Sequence, residues 1–162
     1  MRNRRLFAVV GAMCLLTTTG YTQRRSTADP EIRTRLERLF ASWIDIDATK
    51  AAPFYAKDSD LVFIDVGTEF HGWSDVVAQA PKLFADYRSL KLTLGDDLRT
   101  GGGGDTKWAT ASIRIELTKK DGDVERMGAR YTAIFEKREK DWLIVHEHLS
   151  VPVGGTPQVS QR

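Results

Sequence analysis

One stretch of the chain, from Trp108 to Leu117, alternates strictly between apolar and polar side chains. Successive side chains of a β-strand point to opposite sides, so alternation of this kind predicts a strand with one apolar face. That face would carry Ala109, Ala111, Ile113, Ile115 and Leu117. The opposite face would carry Thr110, Ser112, Arg114 and Glu116. A strand with one buried and one solvated face is typical of an antiparallel sheet packed against helices.

The segments on either side predict further strands of the same sheet. Asp121-Gly122 is a hairpin turn signal, and the segments 124–137 and 141–151 follow it. Before it, alternating leucines predict a strand around residues 90–94. Together these are four long antiparallel strands. The glycine-rich stretch 100–106 predicts a flexible loop, since it lacks the Lys-Ser/Thr of a phosphate-binding loop.

Helices are predicted in the N-terminal half. Asp29 and Pro30 form a helix start, and apolar residues follow at helical spacing. A short second helix is predicted near Pro53, and a third from Gly72 to about Arg88. Two short strands flank the turn at Gly67. We therefore expect an α+β fold, with three helices held on one face of a curved antiparallel sheet.

The N-terminus has the order of features found in a secretory signal peptide. Arg2, Arg4 and Arg5 precede a short apolar run, and small and polar residues follow. We expect residues 1–23 to be a signal peptide, with an uncleaved anchor or a misassigned start as alternatives. The segment 24–30 would be a polar lead-in and 153–162 a flexible tail. The expected location is periplasmic or secreted, without stable membrane insertion after cleavage.

Cleavage would change the charge of the chain. The whole sequence has a net charge of +2, and loss of three arginines gives −1 (+2 − 3). A nearly neutral domain has no electrostatic case for binding nucleic acid. Cys14, the one cysteine, would leave with the signal peptide, so the mature domain could not use disulfides.

The element order and several motifs resemble a known family. The segment from Phe54 to Asp65, the hairpin into His71-Gly72-Trp73, and the closing segment 142–150 (WLIVHEHLS) resemble SnoaL-like domains of the nuclear transport factor 2-like superfamily. The resemblance covers residues 31–152 and implies a cone-shaped α+β fold with three helices, and a dimer formed through the open side of the sheet. It leaves function open, because one fold can carry many functions.

A ketosteroid isomerase-like resemblance singles out one carboxylate. Asp65 falls on the position of the general base in those enzymes. They also use a tyrosine and a carboxylic acid that donate hydrogen bonds to the enolate oxygen, and the matching positions here are Leu39 and Ala133. A base without such donors does not stabilise the developing charge.

The last strand is also similar to that of calcium/calmodulin-dependent kinase association domains. Three arginines occupy the pocket of those domains, and Arg114 falls on one of them. The other two positions read Ala133 and Leu149. The resemblance therefore implies a pocket with one cation, with Ser112, Arg114 and Glu116 on its concave side.

The last predicted strand carries two histidines on one face, His146 and His148. A metal site needs a third ligand, and His71 is the one further histidine, so we expect no metal and no other cofactor. The pair could transfer protons or serve a structural role in the strand or at a dimer face. Glu147 points the other way; if the histidines face outward, it faces the cavity and could pair with Arg114.

These observations favour an exported domain that binds a small, partly apolar organic molecule in the cone. The residues expected to contact the ligand are Tyr55, Phe63, Trp73, Arg114, Tyr131 and Glu147. One alternative is an isomerase, cyclase or dehydratase in which Asp65 is the base and His146 or His148 assists. The other is a non-catalytic association module that forms homodimers.

Overall fold

Three helices and seven strands make up the part of the chain that the computed structural model describes, residues 28–152. The helices are α1 (Pro30–Ser42), α2 (Ala48–Ala51, continued by a 3-10 helix Ala52–Phe54) and α3 (Gly72–Leu83). The strands are β1 (Val62–Asp65), β2 (Thr68–His71), β3 (Tyr87–Leu94), β4 (Arg99–Gly103), β5 (Thr106–Lys119), β6 (Val124–Arg138) and β7 (Asp141–Ser150). The predicted signal peptide, most of the lead-in and the tail lie outside the described residues.

The strands form one curved, unclosed sheet in the order β2-β1-β7-β6-β5-β3, and β4 pairs with β5 beside β3. The four long strands β3, β5, β6 and β7 are antiparallel neighbours, as the alternation predicts. The sheet is mixed, however, because β1 runs parallel to β7. This pairing brings the β1–β2 hairpin beside the C-terminal half of β7.

Helix α1 begins where the sequence predicts. The Asp29 carboxylate accepts the backbone N–H groups of Glu31 and Ile32, at 2.9 and 3.4 Å, and so caps the first turn. Its second oxygen accepts the Lys107 ammonium at 2.6 Å, which ties the helix start to β5. The apolar stripe of the helix packs on the sheet, where Phe40 meets Tyr131 edge-on at 5.2 Å between ring centroids.

The glycine-rich stretch is not the predicted loop. Its first part forms β4, in which Gly101 is the register partner of Trp108 on β5. A Cβ atom on Gly101 would lie 2.4 Å from Trp108 Cζ2, so the indole occupies the space that a side chain would need. Packing of an aromatic ring over a strand glycine compensates for the low strand preference of glycine. The glycine content alone favours a loop, but this cross-strand contact with Trp108 stabilises a strand.

Helix α3 ends earlier than predicted, at Leu83 and not near Arg88. Pro81 lies in its last turn, and the Phe84 N–H donates to the Ala80 carbonyl as the final helical bond. Tyr87 then begins β3, because its backbone pairs with Lys119 of β5. The competing strand pairing therefore sets the end of the helix.

The two faces of the sheet differ as the alternation predicts. The predicted apolar row of β5 is buried under the helices: Ala109, Ala111, Ile113, Ile115 and Leu117. Arg114 lies on the opposite, outer face and is exposed, so the prediction that it lies on the concave side is wrong. The helices cover the face that offers apolar area, and Arg114 has the parity of the other face. No helix in the described residues is long and apolar enough to cross a membrane.

Candidate functional site

A cavity of about 380 Å³ lies between the inner face of the sheet and the helices. Strands β3 and β5 form one wall with Leu90, Leu92, Ile115 and Leu117, and α3 forms another. Aromatic residues contribute much of the remaining lining: Trp43, Phe63, Phe70, Phe84 and Tyr87. A concave, mainly apolar space with a few polar groups is the usual form of a small-molecule site.

Glu147 of β7 is the most deeply buried charged group in this cavity, with 6% of its surface exposed. One oxygen of its carboxylate, Oε2, accepts two hydrogen bonds, from Tyr55 Oη at 2.9 Å and from Tyr131 Oη at 2.8 Å. Burial raises the pKa of Glu147 from 4.5 to about 7, with Asp65 adding to the rise and the two tyrosine hydrogen bonds opposing it. The carboxyl group therefore changes its charge near neutral pH.

The two tyrosines are held by aromatic packing behind Glu147. Tyr55 stacks on Trp73 of α3, with 4.7 Å between ring centroids, and Tyr131 meets Phe40 of α1 edge-on. Burial, and secondarily the nearby Glu147 charge, holds the pKa of both phenols well above the usual value of 10. Both hydroxyls thus remain neutral hydrogen-bond donors, and they fix the position of the carboxylate.

Asp65 is the second carboxyl group of the cavity lining. It is the last residue of β1, in register with Leu149 of β7. The turn that follows has two residues with positive φ, Val66 at 44° and Gly67 at 92°. The Val66 N–H donates to the Leu149 carbonyl at 3.1 Å, which anchors the turn at the edge of the cavity. Burial raises the pKa of Asp65 from 3.8 to about 6.

A β-bulge in β7 decides which residues of the last strand reach the cavity. Ile134 of β6 pairs with His146, whereas Phe135 pairs with Ile144, so Val145 is an extra residue. Trp142 and Ile144 are buried before the bulge, and Glu147 and Leu149 after it. His146 and His148 consequently lie on the outer face, opposite the side that carries the cavity.

The structure therefore divides the predicted site residues into three groups. Asp65, Phe63 and Glu147 line the cavity. Tyr55 and Tyr131 reach it through Glu147, and Trp73 packs behind Tyr55. Arg114 and both histidines lie on the outer face; they do not share the cavity with Asp65, and Arg114 does not pair with Glu147.

The contact between Glu147 and two tyrosines is the feature that sequence reasoning missed. Tyr131 and Glu147 are both at inward positions of adjacent strands, so strand parity could have paired them once the bulge was known. Tyr55 is 92 positions away from Glu147 in the chain, and no local pattern links them. Among the described residues, no group of three histidine, cysteine, aspartate or glutamate side chains could hold a metal ion.

Comparison with known proteins supports the same fold. The model of the SnoaL-like domain family matches residues 32–154. The chain belongs to the SnoaL-like domain family.

Solved structures of similar fold share little sequence with this SnoaL-like domain. A nuclear transport factor 2-like superfamily protein of Salmonella enterica serovar Typhimurium has a TM-score of 0.70 at 19% identity, over 81% of this chain and 95% of that one. A Streptomyces avermitilis protein of the NTF2-like family, provisionally described as a dehydratase, has a TM-score of 0.66 at 13% identity, over 76% of this chain and 96% of that one. A provisionally assigned calcium/calmodulin-dependent kinase II association domain of Xanthomonas campestris has a TM-score of 0.60 at 21% identity, over 80% of this chain and 96% of that one. No curated protein sequence matched.

The SnoaL-like fold of this chain places its acid one strand away from the position that the ketosteroid isomerase resemblance implies. That position, Ala133 on β6, is the register partner of Glu147 on β7. Both residues are buried and inward, so the carboxyl group occupies the neighbouring place on the same face. The cavity thus has two carboxyl groups with raised pKa values in an apolar setting. Such groups can exchange protons with a bound molecule near neutral pH.

Proposed function

We propose that this SnoaL-like domain binds a small, partly apolar organic molecule in the cavity between α3 and the sheet. The observation that carries the proposal is the combination of an apolar lining with two carboxyl groups, Asp65 and Glu147, at its polar end. The tyrosines behind Glu147 supply fixed hydrogen bonds, so the polar end is organised before a ligand arrives. A preorganised site avoids the cost of ordering its polar groups on binding.

Native mass spectrometry of the full-length gene product, purified gently from its host, tests this proposal. Ala80 lines the cavity and is buried, whereas Ala78 lies on the same helix and is exposed. Ala80→Phe should fill the cavity, and Ala78→Phe adds the same volume outside it. We expect the wild type and Ala78→Phe to retain a small molecule that denaturation releases, and Ala80→Phe to lose it. Equal retention by all three proteins, or retention by none, would contradict the proposal.

A second candidate is that the domain transfers a proton on its ligand, as an isomerase, cyclase or dehydratase would. The raised pKa values of Asp65 and Glu147 favour it, because a catalytic group works best when its pKa lies near the working pH. In an isomerisation a C–H bond of the ligand breaks, its electron pair stays on the ligand, the proton passes to an Asp65 oxygen, and a proton returns to the same or another carbon. In a dehydration the ligand instead loses a hydroxide, which leaves as water with a proton.

Deuterium exchange tests this chemistry without knowledge of the product. The ligand released from the protein is returned to it in deuterated water and followed by NMR. We expect the wild type to replace one carbon-bound hydrogen, and Asp65→Asn to bind the ligand without exchange. Asp75→Asn, in the first turn of α3 and outside the cavity lining, is the matched control and should exchange normally. Exchange at an unchanged rate in Asp65→Asn would remove Asp65 from the role of base.

A homodimer formed through the outer face of the sheet is also proposed. Trp108 and Ile134 are register partners on that face and remain 42% and 36% exposed, so they form an adjacent apolar pair, and contiguous exposed apolar surface can mark an interface. Trp108→Arg should convert a dimer to a monomer in light scattering, and Val77→Arg on α3 should not. A monomeric wild type would refute this proposal.

We further propose that residues 1–23 direct export. Mass spectrometry of periplasmic protein should then find a chain that lacks about 20 to 25 N-terminal residues, the length usual for a signal peptide. Soluble protein that still begins at Met1 would refute it.

A further inference from the structure

We propose that the cavity selects an organic cation, a small molecule with an apolar body and a protonated amine at its polar end. The inference rests on the proposed function, since it names the class of ligand that the same cavity binds. Arg114, which the sequence predicts as a ligand contact, lies on the outer face and takes no part in this selection.

The charges that line the cavity have one sign. Asp65 and Glu147 are acidic, and no lysine, arginine or histidine of the described residues belongs to the lining. Removing an ionised carboxylate from water is costly unless an opposite charge or hydrogen bonds compensate it. Within residues 28–152, Glu147 receives two side-chain hydrogen bonds and no cation. A cationic ligand would provide the missing counter-charge, whereas an anionic ligand would add a third charge of the same sign.

The hydrogen-bonding capacity left in the cavity points the same way. Both tyrosine hydroxyls donate to Oε2 of Glu147, and no described residue donates a side-chain hydrogen bond to Oε1 or to the Asp65 carboxylate. Ionised carboxylates only accept hydrogen bonds, so the ligand has to bring donors. An ammonium group has up to three N–H donors, while a ketone or a carboxylate offers acceptors alone.

The apolar walls also suit a cation. The lining includes several aromatic side chains, and the face of an aromatic ring attracts a positive charge by its quadrupole. Trp43 and Phe63 are in the same lining as the two carboxyl groups. Lys57 sits over the Trp73 ring at 4.1 Å and does not line the cavity. Aromatic walls would then cover the body of the amine while the carboxylates hold its charged end.

Titration of three probes with one ring system tests the inference: tryptamine, tryptophol and indoleacetate, which are cationic, neutral and anionic. Isothermal calorimetry on the full-length protein at about pH 8, where both carboxyl groups are ionised, gives their dissociation constants. We expect tryptamine to bind at least about tenfold more tightly than tryptophol, and indoleacetate to bind most weakly. The preference for tryptamine should shrink in Glu147→Gln and in Asp65→Asn. Glu116→Gln, on the outer face beside Arg126, should keep it.

The outcomes separate this inference from the proposed function. Binding of tryptophol or indoleacetate at least as tight as that of tryptamine would leave a binding cavity and overturn the cation preference. A tryptamine preference that persists in the Glu147→Gln and Asp65→Asn proteins would also overturn it, because the charge would then lie elsewhere. Failure of all three probes to bind would count against the cavity as a site for molecules of this size and against both proposals.

Discussion

Replacing Glu147 with glutamine should change how folding stability depends on pH. The pKa of this carboxyl group is about 7 in the folded protein and close to 4.5 when it is exposed to water. Between these values the folded chain holds a proton that the unfolded chain has released. Stability therefore falls as pH rises through this window, and the loss is complete above the folded pKa.

The magnitude follows from the size of the pKa change. A rise from 4.5 to about 7 corresponds to about 3 kcal/mol, at roughly 1.4 kcal/mol for each tenfold change in the proton equilibrium. Most of it, about 2.5 kcal/mol, falls between about pH 5 and about pH 8. Glutamine keeps an oxygen that can accept from Tyr55 and Tyr131 but carries no charge. Glu147→Gln should accordingly resemble the wild type at the lower pH and be more stable at the higher one.

Urea unfolding, followed by tryptophan fluorescence at both pH values, measures the effect. At each pH, the free energy of unfolding of the wild type is subtracted from that of the variant. The change in this difference between the two pH values is the effect of Glu147, because groups that titrate alike in both proteins cancel. Burial raises the pKa of Asp65 to about 6, so in the wild type Asp65 adds a smaller slope of the same sign. Glu116→Gln, on the outer face, should show no such double difference. A double difference near zero for Glu147→Gln would refute the reasoning, since the carboxyl group would then not be desolvated.

Three further substitutions test local features of the fold. Asp29→Ala removes the cap of α1 and the partner of Lys107, so denaturant unfolding should show a loss of about 1 to 2 kcal/mol. Gly101→Ala places a Cβ against Trp108 and should cost about 1 to 3 kcal/mol; if that contact is the cause, Trp108→Ala in the same chain will recover part of the loss. Val66→Asn should raise the free energy of unfolding by up to about 1 kcal/mol, because asparagine tolerates positive φ better than a β-branched residue. The melting temperature should rise with it. An unchanged or lower melting temperature would argue against strain in the turn.

The sequence predicted those parts of the fold that depend on local patterns. Alternation in β5 predicted its buried face, and Asp29 with Pro30 predicted the start of α1. These signals are local because strand parity and helix caps are set by residues a few positions apart. The end of α3 and the strand at Gly101 were mispredicted, since a partner strand determines each of them.

The candidate site was predictable only in part for the same reason. Asp65 lines the cavity, at the end of a short strand that the pattern predicts. The resemblance implies that Arg114 lies on the concave side, whereas the apolar alternation of β5 puts it on the outer face, where the structure has it. The two hydrogen bonds from Tyr55 and Tyr131 to Glu147 join residues from three separate elements. Contacts of that kind follow from the packed structure, not from spacing in the chain.

The extra residue at Val145 has a consequence for comparing last strands across this family. The bulge works as a phase shift: without it, the alternation that begins at Trp142 would turn His146 and His148 inward and Glu147 outward. Two imidazoles would then face the cavity beside Asp65 in place of Glu147, with no substitution at all. Two strands that both read His-x-His can therefore carry different chemistry, because the bulge between Trp142 and Glu147 decides which side chains reach the pocket.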